Sequence, residues 1–188
     1  VRIQGMLMDS QNIVRQLSDY RHNPGVRGIL LRIDSPGGAV APAQEIYSEI
    51  MKLRADHKTV YASMGTVAAS GGYYIACAAD YVLANPGTLT GSIAAVMAFS
   101  NIEELTNKIG VKPVIIKSGK YKDVGSPLRA MNPEERKLLQ NVVDDVHQQF
   151  VQAVAKGRGL SVSEVKEIAD GRIMTGQQAL KLKLIDEI

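Results

Sequence analysis

The stretch Val26-Arg27-Gly28-Ile29-Leu30-Leu31-Arg32-Ile33-Asp34-Ser35-Pro36-Gly37-Gly38 decides the fold class. From Val26 to Ile33 it is nearly continuous in aliphatic residues, interrupted only by Arg27, Gly28 and Arg32. Such a run suits a strand covered on both faces, as in a parallel sheet. It ends in a turn, Asp34 to Gly38, and Ala41 to Arg54 follows, where Ala43, Ile46, Tyr47, Ile50 and Leu53 recur at helical spacing. Strand, turn and helix in that order make one α/β unit.

The unit then repeats. Val1 to Leu7 reads as a strand. Thr59 to Met64 reads as a short strand that Gly65 breaks, and Val67 to Ala79 as an alanine-rich helix. Tyr81 to Ala84 and Ile93 to Phe99 are further short strands around the turn Asn85-Pro86-Gly87. Asn101 to Ile109 is a helix ended by Gly110, and Pro113 to Ile116 another strand. Beyond Lys117 the pattern becomes helical. Pro133 to Lys156 is a long amphipathic helix with Asn132 as cap and Gly157 as stop. Ser161 to Ala169 is a helix with Ser161 and Glu164 as a capping box, and Thr175 caps a last one, Gly176 to Leu182. The expected fold is therefore α/β, with repeated strand-turn-helix units, a mostly parallel sheet and C-terminal helices.

Bulk properties narrow the function. The 188 residues fit one domain, and 45% hydrophobic with 22% charged residues is ordinary for a globular chain. A net charge of +3 from dispersed basic residues speaks against nucleic acid as a partner. The single cysteine, Cys77, excludes an internal disulfide and any multi-cysteine metal site. No stretch approaches the roughly 20 apolar residues that span a bilayer. The sequence opens at Val1 inside a predicted strand, which leaves open a targeting or membrane segment ahead of it.

Functional groups in open α/β sheets gather where strands end and helices begin. Two such junctions stand out: Ser35-Pro36-Gly37-Gly38, and Ala68-Ala69-Ser70-Gly71-Gly72-Tyr73-Tyr74. Paired glycines adopt backbone angles closed to other residues and leave amide N–H groups uncovered. Amides presented this way can hold a developing oxyanion, and a helix beginning just after Ser70 adds its positive end to the same spot. One Gly-Gly pair after a strand is usually only a tight turn. Two at such junctions, one of them beside a serine in small surroundings, point to catalysis.

A serine hydroxyl needs a proton acceptor. His57 lies in a charged segment, His147 in the long helix and His22 just before Pro24, and no strand-end aspartate is placed to orient any of them. A Ser-His-Asp triad is disfavoured. The segment Ile116-Lys117-Ser118-Gly119-Lys120-Tyr121-Lys122-Asp123 offers three lysines in one loop instead. A lysine acts as base only when neutral, which at pH 7 costs roughly 4.6 kcal/mol from its ordinary pKa unless burial or a hydroxyl partner lowers it. Ser92, in Thr90-Gly91-Ser92-Ile93, is a reasonable hydroxyl for that task. The residues alone do not choose among Lys117, Lys120 and Lys122.

The combination of Ser-Pro-Gly-Gly, Ala-Ala-Ser-Gly-Gly-Tyr-Tyr, Thr-Gly-Ser-Ile, Lys-Ser-Gly-x-x-Lys-Asp and Ala169-Asp170-Gly171-Arg172 resembles the signal peptide peptidase A family of serine proteases. The likeness covers nearly the whole chain. It implies a Clp protease/crotonase-like fold and one catalytic domain over 1–188, with 130–188 a helical extension serving oligomerisation. It implies Ser70 as nucleophile, Lys122 as general base, Ser92 as the hydroxyl orienting the lysine, and the Gly38 and Gly71 amides as oxyanion hole. Lys117 and Lys120 are then structural or peripheral. Further implications are apolar peptide substrates such as cleaved signal peptides, no metal or organic cofactor, and a closed homo-oligomer whose subunits share active sites. Membrane anchoring through a segment outside these residues follows as well, with the catalytic domain on the extracytoplasmic side of a bacterial or archaeal membrane. The sequence departs from the family pattern at Lys183, where a glycine is usual before Leu184-Ile185-Asp186. Two rivals are a crotonase-like acyl-CoA enzyme, which shares the turns but needs neither Ser70 nor Lys122, and an inactive family member acting as a membrane-protein scaffold.

Overall fold

The aliphatic run at 28–35 forms β2 (Gly28–Ser35) in a computed structural model that describes every residue from Val1 to Ile188. Two units are distinguished, Val1–Ala94 with His147–Ile188, and Ala95–Val146. The first contains the sheet. Its strands are β1 (Arg2–Gln4), β2, β3 (Thr59–Ala69), β4 (Tyr81–Leu83), β5 (Leu89–Gly91) and β6 (Ile173–Thr175). They run in the order β1-β2-β3-β5-β6, with β4 also paired to β3; all pairings are parallel except β5 with β6.

Along β2 burial alternates strictly: Ile29, Leu31, Ile33 and Ser35 are buried while Leu30 and Arg32 are exposed. The continuous run is thus a one-sided strand, contrary to the two-sided cover expected. Its buried face packs under α1 (Gln11–His22), α2 (Val40–Ala55) and α3 (Gly71–Ala76). The arginine inside the run marks the open side, because a guanidinium remains in water while its neighbours do not.

Gly65 does not end the strand it was expected to break. β3 continues to Ala69 through a bulge: β2 advances from Ile33 to Ser35 while β3 advances from Met64 to Ala68. The Asp34 carboxylate accepts from the displaced Val67 N–H at 3.0 Å, and the Thr88 hydroxyl donates to the Gly65 carbonyl at 2.7 Å. A side chain on Gly65 would start 3.0 Å from the Asp34 carboxyl carbon, so the bulge needs glycine for space. Past the bulge, β3 exchanges β4 for β5 as its neighbour. The helix expected over Val67–Ala79 shrinks to α3, since its first turn was spent as strand.

β5 and β6 went unread because three-residue strands carry no periodicity. Conversely, Ile93–Phe99 and Pro113–Ile116 form no strand; their apolar residues find no ladder, and Val96, Val114 and Ile116 are exposed. In the second unit α4 (Glu103–Lys108) ends near Gly110, at φ +76°. Helix α5 (Pro133–Arg158) starts as predicted: the Asn132 side chain accepts from Glu135 N–H at 2.9 Å, and the Glu135 carboxylate accepts from Asn132 N–H at 3.1 Å. α6 (Val162–Lys166) and α7 (Gly176–Lys181) begin with the two expected capping boxes, Ser161 with Glu164 and Thr175 with Gln178.

Gly157 is not the stop of α5. The helix passes through it, and the chain turns at Gly159, φ +64°, where Leu160 N–H closes on the Ala155 carbonyl at 3.0 Å. Gly157 is glycine because a Cβ there would lie 2.0 Å from the Cys77 carbonyl oxygen. Gly157→Ala should therefore lower stability by about 3 kcal/mol, as overpacking against rigid backbone does, and Gly159→Ala by about 1 kcal/mol. Denaturant midpoints of the two variants measure the ranking; an equal or reversed order contradicts the packing role of Gly157.

Candidate active site

The two glycine turns meet. A Cβ built on Gly37 would fall 2.6 Å from Gly71 N and 2.9 Å from Ser70 Cβ, and one on Gly71 would fall 3.3 Å from Gly37 Cα. This contact admits no side chain at position 37, where φ is +94°. Serine organises the turn from below: the buried Ser35 hydroxyl donates to the Gly5 carbonyl at 2.6 Å and accepts from Gly37 N–H at 3.1 Å. Sequence reasoning took Ser35 for an ordinary turn residue.

The segment around Leu7 lies along the same turn as an isolated parallel bridge to Gly38. Leu7 N–H donates to Gly37 O at 2.9 Å and Leu7 O accepts from Ala39 N–H at 2.7 Å. A parallel bridge of this kind uses the groups flanking the central residue, so the Gly38 N–H points away from Leu7. Gly38 must be bare for this docking, since a Cβ would start 2.3 Å from Leu7 O. Gly71 is the first residue of α3, where a helical N–H has no partner within the helix. Both turns therefore carry an amide that the fold does not consume. At six residues α3 is short, and these local N–H groups matter more than any macrodipole.

Ser70 stands between β3 and α3 with φ 51° and ψ −123°, a region that non-glycine residues rarely enter. Two bonds hold it there: Ser70 N–H to Gly91 O at 2.9 Å, and Tyr74 N–H to Ser70 O at 2.8 Å. The register that pairs Ala69 with Gly91 sets Ser92 beside Ser70 on adjacent strand ends, and Ser92 is also at φ 51°. Ser92 N–H donates to the Arg172 carbonyl at 2.8 Å, which ties the Asp170-Gly171-Arg172 segment to this strand end.

Helix α3 is fixed from its far side. Tyr73, fully buried, donates its hydroxyl to the Leu184 carbonyl at 2.7 Å, and burial raises its pKa well above the ordinary phenol value. The C-terminal stretch is in turn tied down by Asp186, which accepts from Val82 N–H at 2.7 Å and pairs with Arg158 at 2.7 Å. Burial works to raise the Asp186 pKa, but the Arg158 guanidinium and the Val82 amide together hold it below the ordinary carboxylate value.

In the second unit the three lysines separate clearly. Lys117 pairs with Asp123 at 2.5 Å and Lys120 with Glu134 at 2.5 Å; the Glu134 hydrogen bond raises the pKa of Lys120. A lysine held against a carboxylate is kept charged. The Lys122 side chain is exposed and makes neither ion pair nor hydrogen bond, so of the three its amine alone is left without a partner. The same unit has a cleft of about 500 Å³ walled by Met97, Phe99, Met131, Leu139, Arg129 and Arg136, but Lys122 does not line it. His22 Nδ1 contacts the Ser18 carbonyl at 2.8 Å and His57 N–H donates to the Arg54 carbonyl at 3.0 Å, both local contacts away from the glycine turns in sequence.

A family model described as peptidase family S49 matches residues 52–188. The chain belongs to peptidase family S49. A Synechocystis sp. protein bearing a protease name is 51% identical over 160 residues, 85% of this chain and 57% of its own length. An Enterococcus faecium protein named for signal peptide peptidase SppA is 39% identical over 95% of this chain and 52% of its own. The chloroplastic serine protease SPPA of Arabidopsis thaliana is 37% identical over 98% of this chain and 27% of its own. The chain thus spans about half the length of the first two relatives. Membership of S49 supports the resemblance drawn from the motifs and counts against the acyl-CoA reading.

Two outcomes test this description. Gly37→Ala forces a Cβ into the Gly71 amide at positive φ and should cost about 2–3 kcal/mol, read from chemical unfolding; a variant as stable as the parent rules out the close turn contact. A carboxylate whose folded pKa is depressed stabilises the fold above its unfolded pKa and loses that contribution as pH falls through the folded value. Stability should therefore decline below about pH 4, and Asp186→Asn should be less stable at neutral pH yet decline less steeply in acid. Parallel thermal melts at pH 3 to 7 read this, and identical slopes remove Asp186 from the account.

Proposed function

We propose that this chain is the catalytic part of a serine endopeptidase, with Ser70 as nucleophile and Lys122 as general base, hydrolysing apolar peptides such as cleaved signal peptides through an acyl-enzyme. The observation that carries the reading is a strained serine at a strand end, pressed against a second glycine turn, with unconsumed amides at Gly38 and Gly71. Lys122 takes the Ser70 proton, Ser70 attacks the scissile carbonyl, and the Gly38 and Gly71 amides receive the oxyanion. Lys122 then gives its proton to the leaving amine and later activates water. Ser92 orients the lysine amine and favours its neutral form by hydrogen bonding. No metal or organic cofactor enters the scheme.

The same reading gives the chain a Clp protease/crotonase-like arrangement and treats 1–188 as one catalytic domain with a helical 130–188 extension. Active sites are shared in a closed homo-oligomer, Ser70 and Lys122 coming from the same or neighbouring copies. Exposure of Val96, Val114 and Ile116 at 87%, 86% and 95% is in keeping with assembly, in which a partner would cover such apolar side chains. No helix here is long and apolar enough to cross a membrane; the anchoring and extracytoplasmic placement proposed rest on resemblance to the signal peptide peptidases.

Ser70→Ala and Lys122→Ala should each lower kcat for an apolar peptide at least about a thousandfold, and a serine-directed acylating probe should label the parent but not Ser70→Ala. Full peptidase activity in either variant sinks the assignment. Mixing the two inactive variants under conditions that exchange subunits should restore part of the activity if sites are shared between copies.

A further inference from the structure

We propose that Arg129 is a positioning residue for Lys122, holding the base-bearing loop on the first turn of α5 and occupying the carboxylate next to the lysine. The inference rests on the reading of Lys122 as the base. Arg129 grips the residue that follows Lys122 at two points, Nε to Asp123 Oδ2 at 2.9 Å and Nη2 to the Asp123 carbonyl at 3.3 Å. Its remaining donors form a fork on Glu135, Nη2 to Oε1 at 2.5 Å and Nη1 to Oε2 at 2.8 Å. Glu135 is almost fully buried and locked in the capping exchange with Asn132, so the far end of the clamp is rigid. A second tie acts on the other side of Lys122: Lys120 and Tyr121 both bind the Glu134 carboxylate. Lys122 is therefore bracketed by restrained residues while its own amine stays unpaired.

The electrostatic half of the role follows from Asp123. A free carboxylate near the base would favour the ammonium form and so lower the fraction of lysine that is neutral and able to take a proton. Arg129 and Lys117 both pair with Asp123, whose hydrogen bonds to them hold its carboxyl far below the usual range. The charged and titratable groups of the network that carries Lys122 are Lys117, Lys120, Tyr121 and Asp123 on its loop, Arg129 on the next turn, and Glu134 and Glu135 on α5. Arginine suits the place because a planar fork can serve two carboxylates and a carbonyl at once, which a lysine cannot.

The test compares the parent with Arg129→Gln, Arg129→Lys, and Arg129→Gln combined with Asp123→Asn, in the full-length assembled protein with an apolar fluorogenic peptide. Arg129→Gln should lower kcat about a hundredfold with little change in KM, and move the basic-group limb of the kcat/KM profile about one pH unit upward. Arg129→Lys should recover part of kcat. Adding Asp123→Asn to Arg129→Gln should return the limb toward its parental pH, because the carboxylate then balanced by Lys117 alone is gone, while kcat stays low. An unmoved limb in Arg129→Gln overturns the proposal, whatever happens to kcat; so does a limb that stays shifted in the double variant. If Arg129→Gln does not fold, the Arg129→Lys limb decides: it should lie between parent and higher pH, and coincidence with the parent overturns the inference. A fully active Lys122→Ala protein, by contrast, removes the base assignment itself independently of any Arg129 result.

Discussion

The backbone contact between the Gly37 turn and the Gly71 turn is the constraint on which the site depends. Two strand ends, β2 and β3, deliver their turns to within van der Waals contact, and no side chain fits between them. The approach works because β3 carries a bulge at Gly65 that shifts its far half by two residues against β2. Without that shift Ser70 would arrive at another level and Gly91 would not face its amide. The cost is a serine in a disfavoured backbone region, sustained by bonds to Gly91 and Tyr74 and by the packing of α3.

That packing reaches the other end of the chain. Tyr73 connects α3 to Leu184, Asp186 joins the terminal stretch to β4 and to Arg158, and Gly157 lets α5 lie against Cys77 at the end of α3. A short helix directly after a strained residue would fray by itself; here its far side is closed by residues far along the chain, Leu184 lying 111 positions from Tyr73. The strained turn at one end of α3 and the anchoring of its other end are thus one structural problem.

The lysine loop follows a different logic. Its order comes from charge: Asp123, Glu134 and Glu135 each accept from at least one cation, and two of the three lysines are consumed in doing so. This separates the two paired lysines from the one left free, a distinction the spacing of Lys117, Lys120 and Lys122 could not supply. Exposed ion pairs are individually weak, but a buried Glu135 makes this network directional, with Arg129 at its centre.

Much of the fold was legible because its signals are local. The strand β2 itself, the 3.6-residue pattern of α2, and the caps Asn132, Ser161 and Thr175 each operate within a few residues and were found where expected, although β2 is covered on one face and not on two. The paired-glycine turns were legible as a chemical pattern, and their meeting is observed in the first unit. What the amino-acid order alone did not disclose was pairwise and distant: that Gly65 makes a bulge, that Gly157 yields to the Cys77 carbonyl, that β5 and β6 exist, and that Ile93–Phe99 has no strand to join. A glycine reads alike whether it breaks, bulges or gives way, because the reason lies in the atom facing it. Sequence determined which residues could do chemistry and which elements carry them; tertiary structure decided which backbone meets which, since a contact between strand ends is fixed by register and packing over the whole sheet.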